Sequence, residues 1–229
     1  MLEKKKRITK KEIKQDKLVT TYYKVVEFYQ QNQLKIFITG GIIILLIAAL
    51  VLYNNKQKKD DLLASALLAK VIPLYDSGDY TKAIDGDKTQ NIIGLKEIVK
   101  NYGSTETGET AKIYLGNCYY YTGKSDLAFT TFDDYGGDNP ILKAAALAGK
   151  ASCLEDKKEF EKAAKLLADA EKISKINPAN SEYLLRASED FIKVNQKEKA
   201  KELLTKIKNE YKNTTAAQQV EKYMVQIES

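Results

Sequence analysis

The run IFITGGIIILLIAALVLY, residues 36–53, constrains this chain more than any other feature, because 18 successive residues carry no charge. At about 1.5 Å per residue, a helix of that length crosses most of a hydrocarbon core roughly 30 Å thick. The pattern predicts a transmembrane helix. A cleavable signal peptide has a shorter apolar region behind a short basic start, whereas 35 residues precede this run and no small-residue cleavage site follows it. The expectation is therefore a retained signal anchor.

Charge sets the expected orientation. Residues 1–35 hold 10 Lys+Arg against 4 Asp+Glu, which leaves 27 against 27 for the rest and accounts for the whole net charge of +6. A short cationic tail resists translocation, while a long C-terminal part crosses regardless of its charge. Lys56, Lys58 and Lys59 just beyond the span narrow the contrast, but the expected topology is N-terminus inside and C-terminus outside. A neutral main domain also lacks the basic footprint of a nucleic-acid-binding protein.

Three segments follow: a basic tail (1–35), a transmembrane helix (36–53) and a C-terminal domain (54–229). Within the tail, Leu18, Tyr22, Val25 or Val26 and Tyr29 recur at helical spacing and make an apolar stripe. The stripe fits a helix lying in the membrane interface, and it equally fits a helix that docks a membrane partner, since Tyr favours the headgroup layer. Tyr22 and Tyr29, with Gly40 and Gly41 inside the span, are the candidate docking residues. The two glycines permit close helix packing, although GxxxG is absent.

Beyond Asn54 the apolar spacing is helical nearly throughout, interrupted by short turns in DSGD, YTGKSD, LEDKKE and VNQKEK. With only 3 Pro and abundant Lys, Glu, Ala and Leu, the composition favours an all-α fold of paired helices. Small residues follow the turns at a regular interval: Ala128, Ala163 and Ala200 stand 35 and 37 apart. Periods of this size mark stacked helical repeats.

In the clearest copy, Leu115, Gly116, Tyr119, Gly123, Ala128, Phe132 and Pro140 fall on the signature positions of the tetratricopeptide (TPR) repeat, which this segment resembles. Small residues at such positions let two helices approach closely, large ones fill the gap, and Pro opens the next helix. Tyr135 departs from the pattern, where a late Ala is usual. The next copy keeps Ala151, Ala163, Leu167 and Ala170 without a turn Gly, and the last keeps Ser188, Phe191, Ala200 and Leu204. An upstream half copy has Leu74, Gly78 and Ala83, interrupted by the insertion DGDKTQNIIG, and TAAQQVEKYMVQIES is similar to a capping helix. The resemblance covers residues 60–228 and implies a TPR-like helical-hairpin solenoid.

Catalytic chemistry finds little support. The chain has no His and no Trp, which excludes Ser-His-Asp triads, Cys-His dyads and histidine metal clusters. Gly123-Lys124-Ser125 imitates half of a phosphate loop, but Cys118 stands where the first Gly belongs and a helical stretch precedes it instead of a strand. Cys118 and Cys153 occupy matching positions of successive copies, and packed helices about 8–10 Å apart exceed the roughly 7 Å disulfide limit. Two free, buried thiols are expected. The loop DDYGGDNP lacks calcium-hand spacing and reads as a helix connection. No enzyme activity, cofactor, metal or small-molecule substrate is expected.

The resemblance implies instead a concave, peptide-binding surface along the first helix of each repeat. Carried over by position, that face contains Tyr75, Asp76, Ile113, Asn117, Tyr120, Tyr121, Ser152, Glu155, Asp156, Glu182 and Glu189. Its aromatic and acidic character fits extended basic or apolar segments, and solvated or packed faces of a spacer are the competing reading. A basic tail, one membrane helix and an outer TPR domain together resemble the bacterial single-pass proteins that accompany the Sec translocon. That likeness implies an inner-membrane scaffold with a periplasmic domain, whose partners are translocon subunits, periplasmic chaperones or secretory polypeptides. Alternatives are an envelope-assembly scaffold, a structural accessory subunit of another membrane complex, and an organelle import receptor of opposite sidedness.

Overall fold

The structure is a computed structural model that describes residues 10–228. Residues 1–9 of the expected basic tail and Ser229 lie outside the described residues, as do the side chains of 10–16 and of Leu18. The described residues form an all-α chain with one small strand pair. In order these are α1 (Lys10–Asp76), α2 (Tyr80–Asp85), β1 (Gly86–Asp87), β2 (Ile92–Ile93), α3 (Leu95–Tyr102), α4 (Glu106–Tyr121), α5 (Ser125–Asp133), α6 (Pro140–Asp156), α7 (Phe160–Ile173), α8 (Asn180–Lys193), α9 (Lys197–Glu210) and α10 (Thr215–Glu228). Two compact units divide the chain, one ending at Lys56 and the other beginning at Gln57, and α1 contributes to both.

In the first unit α1 is long and apolar enough to cross a membrane, with an 18-residue window of mean hydropathy 2.8 that is not buried at all. Asn32 alone leaves helical geometry there (φ −119°, ψ 15°), and its Nδ2 donates to the Phe28 carbonyl at 2.9 Å. Tyr22 and Tyr29 are exposed, and a Cβ added at Gly40 or Gly41 would meet nothing within 4 Å.

The second unit is organised by one turn used four times. Gly78, Gly123, Lys158 and Asn195 all take positive φ (79°, 74°, 58° and 57°) just after α1, α4, α6 and α8. At each, the N–H of the turn residue donates to the carbonyl three residues back, and the following N–H donates to the carbonyl five residues back. This pair of bonds is the Schellman motif, which satisfies carbonyls that a helix end leaves open. Five residues beyond each turn stands a fully buried alanine: Ala83, Ala128, Ala163 and Ala200. A methyl group there lets the second helix of each pair lie close against the first.

Phe132 on α5 forms a close junction with α4 and α6. A Cβ built on Gly116 of α4 would come 2.6 Å from its Cε1, and one built on Gly149 of α6 would come 2.5 Å from its Cε2. The outer end of one ring, around Cε1 and Cζ, therefore rests on two glycine backbones, and Phe132 is only 2% exposed. One apolar cluster joins Leu68 and Val71 of α1 to α2–α5, and the other runs from Ala144 on α6 to Ile227 on α10. Helix α6 serves both, giving Ala146 and Cys153 to the first and Ala148, Ala151 and Leu154 to the second. Cys118 and Cys153 are free and buried, and burial pushes their thiols up to about 12 and about 11.

The insertion after α2 folds into more than an interruption. Its strands pair antiparallel, Gly86 with Ile93 and Asp87 with Ile92, and α3 then buries Leu95 and Ile98 completely. Asp87 steadies the hairpin by accepting from the backbone N–H of Thr89 at 2.9 Å and from its hydroxyl at 2.5 Å.

Lys158 holds a left-handed conformation that disfavours residues with a Cβ by about 1–2 kcal/mol. Lys158→Gly is expected to raise the unfolding free energy of the full-length protein by about 1 kcal/mol in chemical denaturation, after allowing for the greater freedom of Gly in the unfolded chain. An unchanged or lower midpoint contradicts the assignment of strain to that turn.

Candidate partner-binding face

Schellman turns close α1, α4, α6 and α8, so the side chains in their last turns recur in the same local setting. Ten of the eleven face residues expected from the sequence lie at least partly accessible on these helices. Ile113 is the correction. It is 7% exposed and belongs to the apolar cluster with Leu68, Val71, Leu95 and Ile98, so it lines the core and not the face.

The structure ties seven of the remaining ten into hydrogen bonds between helices, some to one another and some to Arg186 or Tyr223. Asn117 Nδ2 on α4 donates to Tyr75 Oη near the end of α1 at 3.1 Å. Tyr120 Oη on α4 donates to Asp156 Oδ1 on α6 at 3.3 Å, while Ser125 Oγ donates to the other carboxylate oxygen at 2.7 Å. Arg186 Nη2 on α8 donates to Ser152 Oγ at 2.8 Å and Glu155 Oε2 at 2.7 Å on α6. Tyr223 on α10 donates to Glu189 on α8. A polar ladder thus ties together α1, α4, α6, α8 and α10.

Protonation favours these bonds. Burial pushes the Tyr75 hydroxyl up to about 12, and the hydrogen bond to Glu189 does the same for Tyr223. Burial and then the Asp156 charge raise Tyr120. The hydroxyls therefore stay neutral near pH 7, Tyr120 and Tyr223 as donors and Tyr75 as acceptor. Each partly exposed bond contributes modestly, but together they hold neighbouring helices in register.

Aromatic rings complete one end of the face. Tyr75 meets Tyr80 and Tyr114 edge to face, with centroids 5.7 and 4.9 Å apart, and Tyr80 stacks on Tyr121 at 4.8 Å. Tyr121 is 57% exposed, and Asp76, Asp156 and Glu182 are exposed as well. Rigid rings beside carboxylates make an accessible patch with little entropy to lose on contact. Tyr80, Tyr114, Arg186 and Tyr223 were not anticipated from the sequence. Arg186 carried a readable signal, for it and Arg7 are the only arginines among 37 basic residues.

Asp190, one turn along α8 from Arg186, is 1% exposed. Its Oδ1 pairs with Lys193 at 2.9 Å, and its Oδ2 has no partner among the described residues. Burial pushes this carboxyl up to about 6, with Lys193 opposing the shift and Glu155 adding to it. Among the described residues no group of three His, Cys, Asp or Glu is placed to hold a metal ion. Comparison with family models, curated proteins and solved structures gives no match.

A raised carboxyl pKa means that the native state keeps a proton the unfolded chain releases from about pH 4 upward, so stability falls until about pH 6 and is level above. Asp190→Asn removes that titration. Relative to the parent, the full-length variant is expected to gain stability as pH rises from about 4 to about 7 in denaturant titrations. A constant difference across that window contradicts a buried proton on Asp190.

Proposed function

We propose that this chain is a membrane-anchored TPR-like scaffold whose alternate-helix face binds protein partners. The observation that carries the reading is the ladder itself: it ties five helices together, and Tyr121, Asp76, Asp156 and Glu182 on the same helices stay accessible. Support for the TPR-like fold comes from four equivalent turns, each followed by a buried alanine at the same interval. The proposed ligand is an extended basic or apolar segment, matched to an aromatic and carboxylate-rich surface.

With the cationic tail inside and the repeats outside, such a scaffold belongs in a bacterial inner membrane beside the Sec translocon, where it meets periplasmic chaperones or emerging secretory polypeptides. Confinement to the membrane raises local concentration, so weak contacts suffice. A second reading draws on the same ladder. Side chains that satisfy one another suit a rigid spacer, and the exposed Tyr22, Tyr29 and Gly41 with the half-buried Gly40 would then make the contacts of a structural subunit.

Photocrosslinking from single positions in native membrane vesicles separates the two. Probes at Tyr121 and Asp76 are expected to capture a protein, while a probe at the exposed Thr205 of α9 captures none. Capture from Tyr22 or Gly41 with none from Tyr121 or Asp76 contradicts face recognition and selects the structural subunit.

A further inference from the structure

A second surface lies at the opposite ends of the same helices. A cleft of about 590 Å³ opens where α4 and α6 begin, walled by Glu106, Glu109, Tyr135, Asp138 and Ile141 and by Ile176 from the α7–α8 connection. We infer that this cleft docks a short basic and aliphatic segment of a protein partner, with a Lys or Arg between the carboxylates and a branched aliphatic side chain on the two isoleucines. The inference is independent of the face proposed above.

The wall is built before any partner arrives. Glu109 accepts from Lys112 Nζ at 2.9 Å and from the Gly136 N–H at 2.9 Å, and Lys112 also reaches the Asp134 carbonyl at 2.8 Å. These bonds pin the α5–α6 connection onto α4. Tyr135 lies over Gly137, where an added Cβ would come 2.6 Å from its Oη, and its hydroxyl donates to the Asn139 carbonyl at 3.4 Å. A loop that reads in the sequence as plain connection thus forms a rigid flank.

Charge selects the occupant. Three carboxylates line the cleft, and no Lys or Arg does so among the described residues. Helix N-termini ordinarily invite anions, but here most of the free N–H groups are already used. Asp61 accepts from Thr107 N and Thr105 Oγ1 from Gly108 N on α4, while Asn139 Oδ1 accepts from Ile141 N and Leu142 N on α6. With those donors satisfied, the carboxylates of Glu106 and Asp138 set the sign. Ile176 is 85% exposed and Ile141 42% exposed, an apolar cost that a covering aliphatic group would relieve.

The test uses the full-length protein in neutral maltoside micelles and fluorescein-labelled acetyl-KIKLK-amide, read by anisotropy against empty micelles. KIKLK is expected to bind, weakening with salt, and EIELE and KSKSK to bind at least about tenfold less tightly. The triple variant E106Q/D138N/I176S alters only exposed side chains and is expected to lose about tenfold in affinity with an unchanged melting curve. Tyr121→Ala is expected to leave affinity intact. No binding up to about 1 mM, equal binding of EIELE, or an unaffected triple variant overturns the inference. Loss in Tyr121→Ala with retention in the triple variant also overturns it, and places the peptide on the ladder face instead.

Discussion

The stack in the second unit depends on one aromatic ring held between two glycines. The outer end of the Phe132 ring abuts α4 at Gly116 and α6 at Gly149, so its position fixes the spacing of three successive helices. Overpacked cores respond by shifting backbone, typically at a cost of about 1–3 kcal/mol, because protein interiors leave no slack. Both apolar clusters draw residues from α6. Displacing that helix would disturb each of them.

From this spacing follows the alternation that gives the domain two distinct ends. The last turns of α1, α4 and α6 give Tyr75, Tyr120, Glu155 and Asp156 to the polar ladder, and the first turns of α4 and α6 border the acidic cleft. Ladder bonds such as Arg186 with Glu155 require neighbouring alternate helices to hold their register within a few tenths of an ångström, the tolerance of a hydrogen bond. Packing set by alanines and glycines supplies that register.

Much of the architecture was legible in the sequence because local patterns report local structure. Gly123-Lys124-Ser125 was readable as a turn, and the tyrosine run divided as its helical phase dictates: Tyr119 is buried, Tyr120 half-buried and Tyr121 exposed. The buried alanines and free thiols were readable on the same grounds. Ile113 was misplaced because transferring a repeat position assumes an unembellished stack, whereas α4 shares its cluster with α1 and α3. Ladder partners 31–42 residues apart, and the pinned loop at Gly136, depend on tertiary register that no local pattern encodes. The α3 helix hid behind an insertion that looked like loop.

Amide hydrogen exchange on full-length Gly149→Ala tests the central claim, that the Phe132 wedge couples both halves of the second unit. Faster exchange in α4–α5 and in α6–α8 together, by a similar factor, is the predicted result. Acceleration confined to α6, with α4 and α8 as protected as in the parent, would contradict it.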